Sequence, residues 1–361
     1  MKIAIIGAGI LGRMLTIDFS LLGHFVTLFE KDDNFSTKSS CATAAGMLTP
    51  WSEILESSEL VFKLGVQSLS RWEGILKIIN AEDILFNCGC SHLVAASDKA
   101  KIAYLLKYIS NKDPNFIPIE MNSILLRKFF NRSKQNFQYG FYIPNEKCLD
   151  PRIFIKKSKE YFLSNKNISF HFNTQIKKEN IDNNCLKILD KKYDLIINTT
   201  GFHAKENLNN LIRGVRGSLI LVKATQVKID CIVRLSHFRY PIYIVPRGNQ
   251  TFIIGATSQE TECLDPMTIA DTLELLSMAC QFDSGFLEAN ILEQRVNLRP
   301  TFLNSEPKIF THENVFYING LYRHGITISP TISKYFTEFI HHNFNLPNNL
   351  DQSIWKNLCN F

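Results

Sequence analysis

The first thirty-one residues carry the constraint that the rest of the chain must accommodate. KIAIIG (2–7) is short, continuously apolar and β-branched, the pattern of a parallel strand buried on both faces. It runs into Gly7, Gly9 and Gly12, spaced G-x-G-x-x-G, and apolar residues at Leu11, Met14, Leu15, Phe19 and Leu22 then recur at three and four, the period of a helix packed along one face. The helix ends near Gly23, and FVTLFEK (25–31) reads as a second strand. In such a unit Gly7 permits the tight turn, Gly9 lets the backbone approach a pyrophosphate, and Gly12 lets helix and strand pack closely, while the helix N-terminus attracts phosphate charge. Glu30 stands where an acid would accept hydrogen bonds from ribose hydroxyls. The unit therefore predicts dinucleotide binding, with a glycine-rich turn in an ordinary βαβ unit as the plainer alternative. It does not separate FAD from NAD(P), although Glu30 argues against a 2′-phosphate and so against NADP.

Composition removes several other classes. With 361 residues, 45% of them hydrophobic and 20% charged, the chain can bury a large core in one or two domains. The net charge of +6 is spread along the chain, and no nucleic-acid partner is expected. Even KKSKEYFLSNKN (156–167), with its lysines around Ile155, Tyr161, Phe162 and Leu163, reads as a solvated helix face rather than a phosphate-binding patch. The nine cysteines show no metal-ligand rhythm, so no metal is expected; Cys88-Gly89-Cys90, the one close pair, fits an alternating strand better than redox or zinc chemistry. Reduced thiols in a cytoplasmic protein are the expectation. Arg13 and Asp18 interrupt the apolar N-terminus and argue against a secretory leader, and no run of about 18 apolar residues predicts membrane insertion.

Beyond residue 31 the character of the chain alternates. SSCATAAGMLTPWSE (39–53) is a small-residue loop whose backbone amides could approach a flat ligand, and YDLIINTTG (193–201) reads as another buried strand ending at Gly201. GSLILVKA, YPIYIVPRGNQTFIIGATS and ILEQRVNLRPTF are β-rich, with Arg247-Gly248-Asn249-Gln250 as a hairpin turn, interrupted by one helical pattern, MTIADTLELLSMACQF. The expected class is α/β, α+β overall: a doubly wound Rossmann-like domain (1–80, 145–212 and 300–361) interleaved with an antiparallel β-sheet substrate or cap domain (81–144 and 213–299). No motif within 100–140 suggests chemistry.

Taken together, IIGAGILG…FEK, AAGMLTP, YPIYIVPR…IIGATS, LRP and GLYRHGITISP resemble, in the same order along almost the whole chain, the D-amino-acid-oxidase-type FAD-dependent oxidoreductases, most nearly those of the glycine oxidase (ThiO) type. The resemblance implies non-covalent FAD. Ile10 and Leu11 would present backbone groups to the pyrophosphate, Glu30 and Lys31 would meet the ribose region, and Ser40 and Cys41 would contact the dinucleotide. Ala45, Gly46 and Met47 would lie along the flavin, Ile176 would offer its backbone to the adenine, and Gly201 would close the strand beside it. Leu321, Tyr322, Arg323, His324, Gly325, Ile326 and Thr327 would pass beside the flavin pyrimidine ring, with the helix from Gly325 pointing its positive end there. Arg299 would anchor a substrate carboxylate, helped by Tyr243 and by Arg323 as a second substrate-side arginine; an arginine fork gives bidentate geometry that a lysine cannot.

The activity so implied is oxidative deamination of a small amino acid, glycine first, within thiamine (thiazole) biosynthesis, with oxygen or another acceptor reoxidising the flavin. Hydride transfer from a neutral amine requires orientation more than acid–base machinery, so no catalytic side chain is assigned with certainty, and His324 is expected to serve through its backbone. A D-amino-acid dehydrogenase, a sarcosine-type oxidase, a tRNA-modifying flavoprotein and an NAD-dependent dehydrogenase remain alternatives. The resemblance also implies homo-oligomers, though the chain carries no readable signature of one.

Overall fold

A computed structural model describes the chain except for residues 34–37, 55, 96–98, 114–115, 117, 123, 125, 127–129, 131–136, 237–240 and 360–361. Parts of the unassigned stretch 100–140, and Tyr240 of the YPIYIVPR motif, lie outside the described residues.

The opening pattern folds as its spacing predicts: strand β1 (Lys2–Ile6), helix α1 (Ile10–Leu21) and strand β2 (Phe25–Phe29), with β1 and β2 parallel and in register from Lys2↔Phe25 to Ile6↔Phe29. They lie within a six-stranded sheet, ordered Lys308–His312, Val315–Asn319, Leu195–Asn198, β1, β2, Ile168–His171. Five of its strands run parallel and the outermost, Lys308–His312, runs antiparallel. A second, eight-stranded sheet is ordered Asn290–Thr301, Arg213–Lys223, Thr251–Gly255, Ile242–Pro246, Ile232–Ser236, Cys90–Ala95, Phe137–Ile143, Ile119–Met121. It is antiparallel except where Ile232–Ser236 meets Cys90–Ala95. The hairpin expected at Arg247–Gln250 joins two of its strands. The helix expected over 267–282 spans Ile269–Phe282 and starts from a Thr268/Asp271 capping box, two residues past Pro266.

One layer of helices covers a face of the six-stranded sheet and fixes the site from behind. Helix Gly325–His341 packs on α1 and on helix Glu59–Ile78. Their shared core includes Met14, Ile17, Leu64, Trp72, Ile328 and Phe336. Two polar ties set the relative position of these helices. Asp18 of α1 receives Arg71 Nη2 at 2.8 Å and Ser333 Oγ at 2.6 Å, and Trp72 Nε1 donates to Ile326 O at 2.9 Å. Arg13, fully buried, is a third tie: its Nε donates to Ala8 O at 2.8 Å and its Nη1 to Ser158 Oγ at 2.9 Å, so the guanidinium props the glycine turn from inside. A buried cation persists there because its donors are satisfied, although burial lowers its pKa to about 10.

Gly12 sets how near α1 lies to β1, because a Cβ built there would overlap the Gly7 carbonyl oxygen and crowd Thr199 Oγ1. Gly12→Ala is therefore expected to cost about 1–3 kcal/mol through overpacking and to loosen FAD. Thermal unfolding with and without added FAD checks this; an unchanged midpoint with full FAD retention would show that the helix can retreat at no cost.

Candidate active site

A single cavity of about 710 Å³ is lined by residues of both sheets, and every site residue named from the sequence except Gly12 and His324 contributes to its wall. Gly12 acts by close packing instead, and His324 is turned away into the protein.

At one end the wall is made of backbone. Gly7 turns with φ +98°, Gly9 is the N-cap of α1 with no side-chain cap, and a Cβ at Gly9 would meet nothing within 4 Å. Free first-turn amides beside an open glycine suit a phosphate group. The ribose role expected for Glu30 needs qualification. Its Oε2 accepts from Ala8 N at 2.7 Å and its Oε1 from Asp32 N at 3.1 Å, and the residue is 6% exposed. Its first duty is to hold the glycine turn against the end of β2, leaving only the remaining lone pairs for a ribose. Lys31 Nζ lies 2.8 Å from His203 Nε2; burial and then the Lys31 charge lower the His203 pKa, which leaves a neutral ring able to accept. Ser40 Oγ donates to Leu298 O at 2.8 Å, tying the short helix Ser40–Thr43 to strand Asn290–Thr301. Cys41 is buried, and burial pushes its thiol up to about 12, against the opposing pull of Arg13. A thiol so far from ionised is a poor nucleophile, in keeping with a cofactor held without a covalent link.

Further along, Gly46 (φ +68°) and Met47 face the start of helix Gly325–His341, whose N-terminus also lacks a side-chain cap. Thr327 Oγ1 donates to Met47 O at 3.1 Å and ties the two segments together. Two uncapped helix N-termini thus meet one cavity, a donor set that fits a ligand with negative charge at its middle and at a reducible ring.

The opposite wall, where the substrate residues were expected, belongs to the eight-stranded sheet. Arg299 donates from Nη1 and Nη2 to Thr257 O, both at 3.1 Å, and its guanidinium lies over Gly217, where any Cβ would displace it. The Tyr243 ring lies over Gly255 in the same way, a Cβ there coming 2.7 Å from its hydroxyl oxygen. Burial raises the Tyr243 phenol pKa, the nearby Arg299 charge opposing it, and the hydroxyl remains a donor at neutral pH. Glycine within a strand marks such close approaches. These two were available to sequence reading, in GSLILVKA and IIGATS.

A charged cluster beside this wall is absent from the sequence-based expectation. Glu53 pairs with His324 Nδ1 at 2.6 Å and with Arg234 Nη1 at 2.9 Å; Glu56 pairs with Arg323 Nη2 at 2.7 Å and with Arg234 Nη2 at 3.3 Å. Burial by itself would raise the Glu53 pKa, but His324, Arg234 and Arg323 outweigh it and hold the carboxylate well below its usual range. Arg323 reaches the cavity wall, where the second substrate-side arginine was expected, already paired with the Glu56 carboxylate. The signal that could have found the cluster is Arg234, a charge within the alternating strand CIVRLS, opposite two glutamates three residues apart. Arg247, also unforeseen, donates Nη2 to Ala45 O and so grips the loop that carries Gly46 and Met47. Among the described residues no group of His, Cys, Asp and Glu could hold a metal, and no helix is long and apolar enough to cross a membrane.

Fold and cavity together define a flavin-dependent oxidoreductase. The chain matches the family model DAO, FAD dependent oxidoreductase, over residues 2–339, and it belongs to that family, whose members of this type act on amino groups. It is 27% identical over 335 residues, 92% of this chain and 94% of the relative, to a putative thiamine biosynthesis oxidoreductase ThiO of Rhizobium etli. In three dimensions it is similar to glycine oxidase from Bacillus cereus (TM-score 0.82, 17% identity, 97% of this chain and 99% of that one). It is also similar to iminodiacetate oxidase from Chelativorans (TM-score 0.81, 16% identity, 99% and 98%).

Behind the cluster, Glu146 is wholly buried, accepts from Ser52 N at 2.7 Å and is bonded to Ser52 Oγ. Burial pushes its carboxyl up to about 8 against those bonds. A pKa raised on folding means that the fold prefers the protonated form. Stability is then full below the ordinary carboxyl range and falls as pH rises towards about 8. Glu146→Gln keeps the shape and an amide that can bond Ser52, so its unfolding free energy should decline less than that of the wild type between about pH 5 and pH 8, by an amount on the order of a few kcal/mol. Parallel curves for the two proteins would refute a buried neutral acid.

Proposed function

We propose that the protein is a glycine oxidase of thiamine (thiazole) biosynthesis: glycine, oxygen and water give glyoxylate, ammonia and hydrogen peroxide. The observation that carries the reading is Arg299, whose fork lines the cavity and, among the described residues, hydrogen-bonds only a backbone carbonyl, beside Tyr243. The near full-length likeness to a putative ThiO, and the fold shared with glycine oxidases, support the same choice.

FAD, when bound, supplies a two-electron acceptor for the hydride on the substrate α-carbon. The chain's own residues orient and neutralise. Arg299 receives the carboxylate through two parallel N–H···O bonds, and Tyr243 donates a third. Among the described residues, the guanidinia of Arg234 and Arg323 are offset by Glu53 and Glu56, which leaves Arg299 as the described arginine of this wall without a carboxylate partner and suits it to one substrate carboxylate. No side chain need remove a proton from carbon, because a neutral amine loses a hydride, not a proton, from its α-carbon.

Anaerobic mixing with glycine, sarcosine and D-alanine tests the reading. Glycine is expected to bleach the flavin, and oxygen to restore the colour promptly. Bleaching by D-alanine but not glycine, or recolouring only over many minutes, would point instead to a D-amino-acid dehydrogenase. Arg299→Ala should raise the glycine KM about a hundredfold, the worth of roughly 2–3 kcal/mol of charge-assisted bonding, with FAD retained.

The charge pairing gives a separate prediction. Glu56→Gln releases Arg323, and kcat/KM for the dicarboxylate iminodiacetate relative to glycine should rise on the order of tenfold, about 1.4 kcal/mol. An unchanged ratio would mean that Arg323 does not reach the substrate.

A further inference from the structure

Spacing in the sequence draws Cys88 towards Cys90, but the fold gives it another neighbour. Cys88 Sγ lies 3.6 Å from Cys148 Sγ, across sixty positions of chain. The cause is local: Phe86 pairs antiparallel with Cys148, and the turn at Gly89, with φ +64° and its N–H on Glu146 O at 2.9 Å, folds Cys88 back against the same strand, Lys147–Leu149. Both thiols are free, Cys148 wholly buried and Cys88 partly exposed. A disulfide needs about 2.05 Å between the sulfurs, so the two thiols stand in contact but short of a bond.

We propose that Cys88 and Cys148 are a modification site, an attacking and a resolving thiol that a peroxide converts to a disulfide directly behind the flavin-side loop. The Cys88 thiolate attacks one oxygen of hydrogen peroxide; the O–O bond breaks, leaving a sulfenic acid and hydroxide. The Cys148 sulfur then attacks the Cys88 sulfur, the S–O bond breaks, and water leaves as the S–S bond forms. Two thiols are oxidised by two electrons, one peroxide is reduced, and both thiol protons end in water. The division of labour follows from the surroundings. A bond from Cys148 lowers the Cys88 pKa, and the Arg247 charge adds to this, whereas that same bond and burial keep Cys148 protonated until it is called on as the second thiol. The bridge would be felt at the cavity, because Cys148 pairs with Met47 and Leu149 N donates to Gly46 O at 2.9 Å. Clamping Cys148 therefore stiffens the strand beneath Gly46 and Met47, and turnover should fall until a reductant is added. If the protein is an oxidase, as proposed above, it produces this oxidant itself; the site needs only a peroxide from any source.

The test treats FAD-loaded protein with hydrogen peroxide, blocks the remaining thiols by alkylation and maps the peptides by mass. A Cys88–Cys148 cross-link is expected as the main disulfide, reversed by a thiol reductant. Cys148→Ser should stop at a sulfenic acid on Cys88 that dimedone traps, and Cys88→Ser should give neither product. The proposal is overturned if Cys88 and Cys148 are both recovered alkylated at a peroxide dose that oxidises the exposed Cys185 and Cys359, or if Cys88 joins Cys90 instead. Because the peroxide is added, the result is independent of whether glycine is the substrate.

Discussion

The structure depends on one steric condition, the approach of α1 to the end of β1 that Gly12 permits. With no side chain between them, the helix begins directly beyond the strand and its uncapped first turn opens into the cavity. Arg13 and Glu30 then lock this arrangement from two sides, the guanidinium on Ala8 O and the carboxylate on Ala8 N. Both groups of one turn residue are thus satisfied by buried charges, which is an exacting way to fix a loop: an unpaired ion there would cost several kcal/mol. The glycine-turn end of the cavity is thus held by the protein's own buried groups.

The far end is built by the opposite device. On the eight-stranded sheet two glycines, Gly217 and Gly255, leave gaps into which Arg299 and Tyr243 fold, so this wall of the cavity carries long side chains lying close on the sheet. Electrostatics then decides what that wall can hold. Two arginines and two glutamates pair off beside it, and the His324 ring joins them through Glu53, whereas Arg299 has, among the described residues, a backbone carbonyl as its hydrogen-bond partner. The helix Gly325–His341 links the two ends: its first turn faces the flavin segment while its body packs on α1.

What was legible in the sequence follows from how local each signal is. The βαβ unit, the hairpin at 247–250 and the helix before the C-terminus rest on period, turn residues and glycine placement within short windows, and these need no knowledge of the rest of the chain. That Arg299 and Tyr243 would share one cavity with the glycine turn was legible through motifs in a fixed order. The pairing of Arg323 with Glu56, of Glu53 with His324 and of Cys88 with Cys148 did not, because each joins residues 60 to 271 positions apart, a distance that only the completed topology closes. Glu30 shows the intermediate case: its position was readable, but its hydrogen bonds to the turn were not, since they depend on where the Ala8 amide points.

The central claim is that a substrate carboxylate docks on Arg299 within reach of the flavin. Titrating acetate, the carboxylate half of glycine, into the oxidised FAD-loaded protein and following the visible flavin spectrum tests it most directly. The account predicts a saturable perturbation in the wild type that disappears in Arg299→Lys, where the fork is lost and the charge kept, while the FAD content stays the same. An equal perturbation with equal affinity in both proteins would contradict it.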